Sequence, residues 1–320
     1  MIEVTNLVKQ YGDHYAVDHL SFTVSEGEVL GFLGPNGAGK STTMNIITGY
    51  ISATEGTVTI NGHDILDEPE EAKKCIGYLP EIPPVYPDMT VKEYLGFVAE
   101  IKGVKKEDRF NDVMNAMEST KITSYQNRLI RHLSKGYRQR TGIAGAMIGN
   151  PQIIILDEPT VGLDPSQIIE VRDLIKSLAK DHTIILSSHI MQEISAVCDR
   201  VLIINKGKMI VNDSIRDLSK KMSGANRLEL KVKADAEKAK EMVLAIDAVE
   251  SVDIVGEEDG LAALHVYSKD VDVREQVFFA CAQAGVPIYA MNLIEMTLEE
   301  IFIKLVQNME MSKEGKGEEK

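Results

Sequence analysis

The nine residues Gly34-Pro35-Asn36-Gly37-Ala38-Gly39-Lys40-Ser41-Thr42 constrain this chain more than any other stretch. They fit G-x-x-x-x-G-K-[ST], which ordinary residue frequencies would place in roughly one chain in a hundred of this length. The flanks sharpen the match. Val29-Leu30-Gly31-Phe32-Leu33 is a short apolar run that reads as a buried strand, and Lys40 to Thr48 reads as a helix. In a strand, glycine turn and helix, the glycines let the backbone aim its N–H groups inward, and the helix N-terminus adds partial positive charge. The turn is then a nest for a polyphosphate. Lys40 is expected to reach the β- and γ-phosphates, and Ser41 to bind Mg²⁺.

The rest of the first two-thirds follows an α/β pattern. Residues 2–8 and 20–25 read as strands joined around Tyr11-Gly12-Asp13, and Thr57 to His63 alternates and turns at Asn61-Gly62, a hairpin signal. Ile76 to Leu79 is a short strand. Pro80, Pro83, Pro84 and Pro87 make the next segment irregular and stiff. Residues 90–150 switch to helical periodicity, with Thr90 and Glu93 spaced as a capping box. Ile153-Ile154-Ile155-Leu156 lacks polar alternation, as expected of a strand covered on both faces. A helix over 166–180, a buried strand over 183–187 and a hairpin turning at Asn205-Lys206-Gly207 follow.

A polar stretch, 219–226, reads as a linker. Residues 227–292 then read strand, helix, strand, strand, helix, strand, the order of a ferredoxin-like α+β plait. A helix from Thr297 to Gln307 has Leu298, Ile301, Phe302 and Leu305 on one face. The expected organisation is therefore a first domain over 1–218 with a helical insert at about 88–150, a linker, an accessory domain over 227–309, and a disordered Lys/Glu/Gly-rich tail over 310–320. No catalytic group stands out in the accessory domain.

Composition excludes some classes. The chain has 320 residues and a formal net charge of −14, with 24 basic and 29 acidic side chains in residues 1–224 against 11 and 20 in residues 225–320. An acidic chain without a dominant basic tract is a poor nucleic-acid binder. Arg128, Arg131, His132, Lys135, Arg138 and Arg140 do cluster, but read better as a solvated or phosphate-facing edge. Cys75, Cys198 and Cys281 form no C-x-x-C pair, which argues for a reducing compartment and against a zinc site. His14, His19, His63, His132, His182 and His265 lack metal-ligand spacing. No apolar run approaches the ~18 residues of a membrane span, so the chain is expected to be cytoplasmic and to meet a membrane only through another chain.

Two further clusters carry chemistry. Asp157 and Glu158 follow the apolar strand, where one acid can hold Mg²⁺ and the other polarise an attacking water. Ser134 caps a helix whose first turn contains Gly136, a second anion-binding end. Since the chain already has one phosphate loop, this end is expected to serve a nucleotide held by another copy.

With these residues assembled, residues 1–215 resemble the nucleotide-binding subunit of an ABC transporter. Gly34 to Thr42 matches the Walker A loop, and Ile153 to Glu158 the Walker B strand with its catalytic glutamate. Ser134-Lys135-Gly136-Tyr137-Arg138-Gln139 matches the family signature loosely, with Lys135 where the first Gly usually stands and Tyr137-Arg138 before Gln139. Gly162-Leu163-Asp164 matches the loop that couples two sites, and His189 the switch histidine. Tyr11 matches the aromatic residue that stacks on adenine. Glu81 stands where the family usually has Gln, and is expected near Mg²⁺ or its water.

The resemblance implies a P-loop ATPase fold with an antiparallel β subdomain, ATP and Mg²⁺ as cofactors, and a homodimer or a heterodimer with a related subunit. It also implies a separate integral-membrane permease, with the chain peripheral on the inner face of the cell membrane. The variant signature, Glu81 and the plait resemble the drug-export and gliding-motility-like branch. The alternative reading is a soluble ABC ATPase acting on the ribosome or nucleic acid. Such proteins carry a second ATPase domain or long coiled coils, and this chain has neither.

Overall fold

The computed structural model describes residues 1–222, 225–269, 271–294 and 296–305. By packing, the chain divides into two units, Met1–Ile215 and Arg216–Lys320.

The first unit begins with strands β1 (Ile2–Tyr11) and β2 (His14–Val24), which pair antiparallel across the turn at Gly12. Strand β3 (Val29–Leu33) is buried at every residue and leads into helix α1 (Lys40–Ile47). Strands β4 (Glu55–Ile60) and β5 (His63–Asp64) form the hairpin expected at Asn61-Gly62. Both turn residues have positive φ, +51° and +88°, as a tight hairpin turn of this type requires. The sheet order β2-β1-β4-β5 is antiparallel throughout, which is the expected β subdomain.

Helix α2 (Pro69–Lys74) leads to strand β6 (Ile76–Leu79). The proline segment after it is irregular until helix α3 (Val91–Ile101). The Thr90 capping box is closed there: the Thr90 N–H donates to Glu93 Oε2 at 2.8 Å, and the Glu93 N–H to Thr90 Oγ1 at 3.3 Å. Helices α4 (Arg109–Ser119) and α5 (Lys135–Met147) complete the insert. It has its own core, built on Val91, Leu95, Ala99, Val113, Met117, Ile130, Ala144 and Ile148.

Strand β7 (Ile153–Asp157), helix α6 (Pro165–Leu178), strand β8 (Thr183–Ser188), helix α7 (Met191–Val197) and the β9 (Arg200–Asn205)/β10 (Lys208–Ser214) hairpin finish this unit. The six-stranded sheet runs β10-β9-β3-β8-β7-β6. Every pairing from β9 to β6 is parallel, and β10 lies antiparallel on the edge. The order matters for function, because β8 lies between β3 and β7. The C-terminal ends of these three strands, where parallel sheets bind ligands, are therefore neighbours.

The second unit starts earlier than expected. The stretch 219–226, read as a linker, is helical to Met222 in α8 (Ile215–Met222) and extended again from Ala225, with residues 223 and 224 outside the described residues. The sequence Arg216 to Met222 has good helix formers and no breaker before Gly224, and Leu218 is buried. Strands β11 (Ala225–Val232), β12 (Val249–Glu258), β13 (Leu261–Lys269) and β14 (Ile288–Ile294), with helices α9 (Ala236–Leu244) and α10 (Arg274–Gln283), pair antiparallel in the order β12-β13-β11-β14. This is the ferredoxin-like plait. Ala239, Val243, Val277 and Cys281 of the helices pack on Leu228, Leu230, Leu264 and Val266 of the sheet. A helix over 298–305 follows, with Leu298 and Ile301 buried. The tail over 310–320 lies outside the described residues.

Candidate active site

At the end of β3 the chain turns through the glycine loop. Gly39 has φ +106°, and a Cβ there would stand 2.3 Å from the carbonyl oxygen of Ala16 on β2. Both facts exclude a side chain: the conformation is strained for any L-residue, and the obstacle is backbone. We expect Gly39→Ala to lower the melting temperature by about 5–10 °C, as a cost of about 2–3 kcal/mol would in a unit of this size. Nucleotide affinity should fall with it; a thermal melt with a parallel ATP titration checks both.

Lys40, only 6% exposed, lies across the loop. Its ammonium donates to the Gly34 carbonyl at 2.7 Å and the Pro35 carbonyl at 3.4 Å, and stands 3.6 Å from Glu158 Oε1. A buried cation is thus held by two dipoles and one carboxylate, as burial of charge demands. The Ala38 N–H donates to the Pro35 carbonyl at 3.1 Å, which closes the turn.

Glu158, the residue after β7, is buried and has φ +49°. Its N–H donates to the carbonyl of Ser187 on β8 at 3.0 Å. A left-handed, non-glycine residue costs about 1–3 kcal/mol, and such residues cluster at functional sites. Here the conformation turns the carboxylate out of the strand. Glu158 Oε2 lies 2.8 Å from Nδ1 of His189, whose side chain is 43% exposed at the end of β8. Neither contact is local in sequence; both follow from β8 lying between β3 and β7.

A cleft of about 570 Å³ opens over these groups, lined by Asn36, Gly37, Gly39, Lys40, Ser41 and Thr42 together with Glu81, Glu158 and His189. Asp157 is 2% exposed and is not among the lining residues; its Oδ1 is buried without a hydrogen-bond partner. Orphaned buried oxygens are rare enough to call for a reason.

The remaining expected residues sit elsewhere. Tyr11 ends β1 at the hairpin corner, half exposed, with the Lys9 ammonium 5.2 Å from its ring centre. It does not line the cleft, whereas His14, its cross-strand partner, and Ala16 do. Sequence reasoning passed over His14 because only ligand spacing was available to judge it, and the close approach of β2 to the glycine loop, where Ala16 meets Gly39, is a long-range contact. Ser134 caps α5, its Oγ accepting the Tyr137 N–H at 3.4 Å, but neither it nor Gly136 lines the cleft. A Cβ on Gly136 would stand 2.7 Å from the Gln167 side chain, so the signature turn packs closely on α6.

Asp164 is the N-cap of α6. The Ser166 hydroxyl at 2.6 Å and the Gln167 N–H at 2.9 Å donate to it and hold its carboxyl below the usual range. The basic cluster is not one solvated face: Arg131 pairs with Asp88 at 2.7 Å, and Arg140 is buried and pairs with Glu170.

A nest of loop amides with a buried lysine suits a triphosphate. A carboxylate and an imidazole at its open side suit a water aimed at the terminal phosphorus. The fold and the cleft are those of a P-loop nucleotide triphosphatase. Comparison with known proteins narrows this class. Residues 17–161 match the family model described as ABC transporter, and residues 214–306 one described as the C-terminal domain of DrrA1-3-like ATP-binding proteins. The bacitracin transport ATP-binding protein BcrA of Bacillus licheniformis is 34% identical, over 96% of this chain and 97% of its own. The linearmycin resistance ATP-binding protein LnrL of Bacillus subtilis is 34% identical over 72% of this chain and 75% of its own. Among solved structures, the dimeric post-hydrolysis state of the ATP-binding cassette MJ0796 with ADP and Pi superposes with a TM-score of 0.61 at 26% identity, covering 68% of this chain and 99% of that one.

The chain belongs to the ATP-binding proteins of ABC transporters and is an ATP-binding, ATP-hydrolysing subunit. Nothing in these relatives favours the ribosomal or nucleic-acid alternative. No helix among the described residues is long and apolar enough to cross a membrane.

Proposed function

We propose that two copies of this chain, or one copy and a related subunit, sandwich two ATP molecules and drive a separate membrane permease that exports its substrate. One observation carries the composite site: Lys40, Glu158 and His189 share one cleft, while the capped end of α5 at Ser134 and Gly136 does not line it. A second copy would bring that end to the γ-phosphate, and the dimeric state of the cassette neighbour supports this arrangement. The relatives named for bacitracin transport and linearmycin resistance support export.

In hydrolysis Glu158 takes a proton from the attacking water, whose oxygen forms the new bond to the γ-phosphorus as the bond to the ADP oxygen breaks. His189 holds Glu158 and the water in line, and Lys40 with the loop amides stabilises charge on the transferring phosphoryl group. Magnesium fits the donors available: the Ser41 hydroxyl, Asp157 with its unpartnered oxygen, and Glu81 at the cleft are hard oxygen ligands. Magnesium held by these residues would supply positive charge to offset that of the phosphates.

The permease contact is assigned to the proline segment over 81–88. Ile82 is 81% exposed there, beside a groove of about 530 Å³ that Pro83, Val85, Arg131, Lys135 and Arg138 help to line. An exposed isoleucine on a proline-stiffened loop, beside a groove that Glu81, Lys135 and Arg138 also line, suits an apolar element with a polar end. Purification of the tagged full chain from detergent-solubilised membranes should bring down a polytopic membrane protein, and Ile82→Cys should crosslink to it. Copurification of ribosomes or DNA instead, or crosslinks only from other surfaces, would overturn the assignment.

A further inference from the structure

Glu193 lies in the first turn of α7, is 3% exposed, and does not line the ATP cleft. Its Oε2 accepts a hydrogen bond from the Thr160 hydroxyl at 2.5 Å and a longer one, 3.3 Å, from the Ser188 hydroxyl. Ser188 Oγ in turn accepts the Ile190 N–H at 3.0 Å. The two partners belong to different strand ends. Thr160 sits two residues after Glu158, in a turn closed by the Val161 N–H on the Glu158 carbonyl at 3.3 Å. Ser188 immediately precedes His189. One buried carboxylate oxygen therefore joins the turn that carries Glu158 to the turn that carries His189, behind the 2.8 Å contact those two side chains make.

The other oxygen, Oε1, is buried with no hydrogen-bond partner. Leaving a charged group half-satisfied out of water costs stability, so a residue kept only for folding would be better apolar at this position. We propose that Glu193 is a positioning residue for hydrolysis: it sets the relative placement of Glu158 and His189 by bridging Thr160 and Ser188. This rests on the roles given above to Glu158 and His189. The bridge needs an acceptor with two free lone pairs at one point, not a negative charge. A Gln carbonyl supplies that, and its amide group would take the place of the unpartnered Oε1.

The test measures ATP turnover by the purified full chain, normalised to the fraction that binds ATP. Glu193→Ala should lower kcat by about 10- to 100-fold with KM for ATP unchanged, the usual scale for misplacing a catalytic group by about 1 Å. Glu193→Gln should retain most of the turnover. Thr160→Val keeps the side-chain shape while removing the donor; it should also lower kcat, and the double variant Thr160→Val/Glu193→Ala should be no slower than Glu193→Ala alone. Unchanged kcat in Glu193→Ala, additive losses in the double variant, or a loss in Glu193→Gln equal to that in Glu193→Ala would each overturn the inference. If Glu158→Gln turns over normally, the underlying reading fails. If Glu158→Gln is inactive while Glu193→Ala is not, only the bridge fails.

Discussion

Replacing Glu158 with Gln should leave ATP bound and nearly stop its turnover, with a loss in steady-state rate of about 10²- to 10⁴-fold, the range contributed by a positioned general base. The substitution keeps the volume of a buried side chain, removes its ability to accept a proton, and takes away the charge that faces Lys40 at 3.6 Å. The backbone has already been turned to φ +49° and held there by the N–H bond to Ser187, so the amide should occupy the same place. The loop amides, and the Lys40 hydrogen bonds to the Gly34 and Pro35 carbonyls, all proposed above to serve the phosphates, are left in place. Trapped nucleotide should then hold two copies together, and size exclusion with ATP and magnesium should show a dimer that the unaltered chain does not accumulate. Normal phosphate release from the Gln variant would remove Glu158 from the mechanism.

Lys40→Ala should act on the earlier step. Its ammonium is the only cation in direct contact with the loop carbonyls among the described groups, at 2.7 Å from Gly34 O, and it faces the carboxylate of Glu158 at 3.6 Å. Two effects add. A charge-assisted hydrogen bond to phosphate, worth about 1.5–3 kcal/mol, is lost, which is about 10- to 100-fold in affinity. The Glu158 carboxylate is also left facing a triphosphate without the nearest positive charge, and like charges repel strongly where water is excluded. A titration with a fluorescent ATP analogue should show the loss directly. Unchanged affinity would mean that the amide nest alone binds the nucleotide and that Lys40 acts later.

The two variants separate binding from chemistry, and most of what they probe was legible in the sequence. The glycine loop, the Asn61-Gly62 hairpin and the Thr90–Glu93 capping box are local devices, in which a few consecutive residues satisfy their own backbone groups, and all three form as expected. The four strands and two helices over 227–292 were readable for the same reason, because strand and helix periods alternate cleanly there. Less was legible where contacts cross the chain. The linker over 219–226 proved helical at one end and extended at the other. His14 reaches the cleft because β2 runs past the glycine loop, where Ala16 meets Gly39. Glu193 carries no motif signal at all, since one glutamate in a helix looks like any other until Thr160 and Ser188 are seen on either side of it.

By itself, the sequence determined that this chain carries a glycine turn between a buried strand and a helix, that an acid pair ends a second buried strand, and that a plait-like unit follows. These depend on residue type and short spacing, which local sterics and hydrogen bonding read directly. Only the tertiary structure decided that β8 lies between β3 and β7. That order is set by which buried strands pack best together, a comparison among long-range pairings that no local signal encodes. It brings Glu158 within ion-pair reach of Lys40 and hydrogen-bond reach of His189, three residues from distant segments.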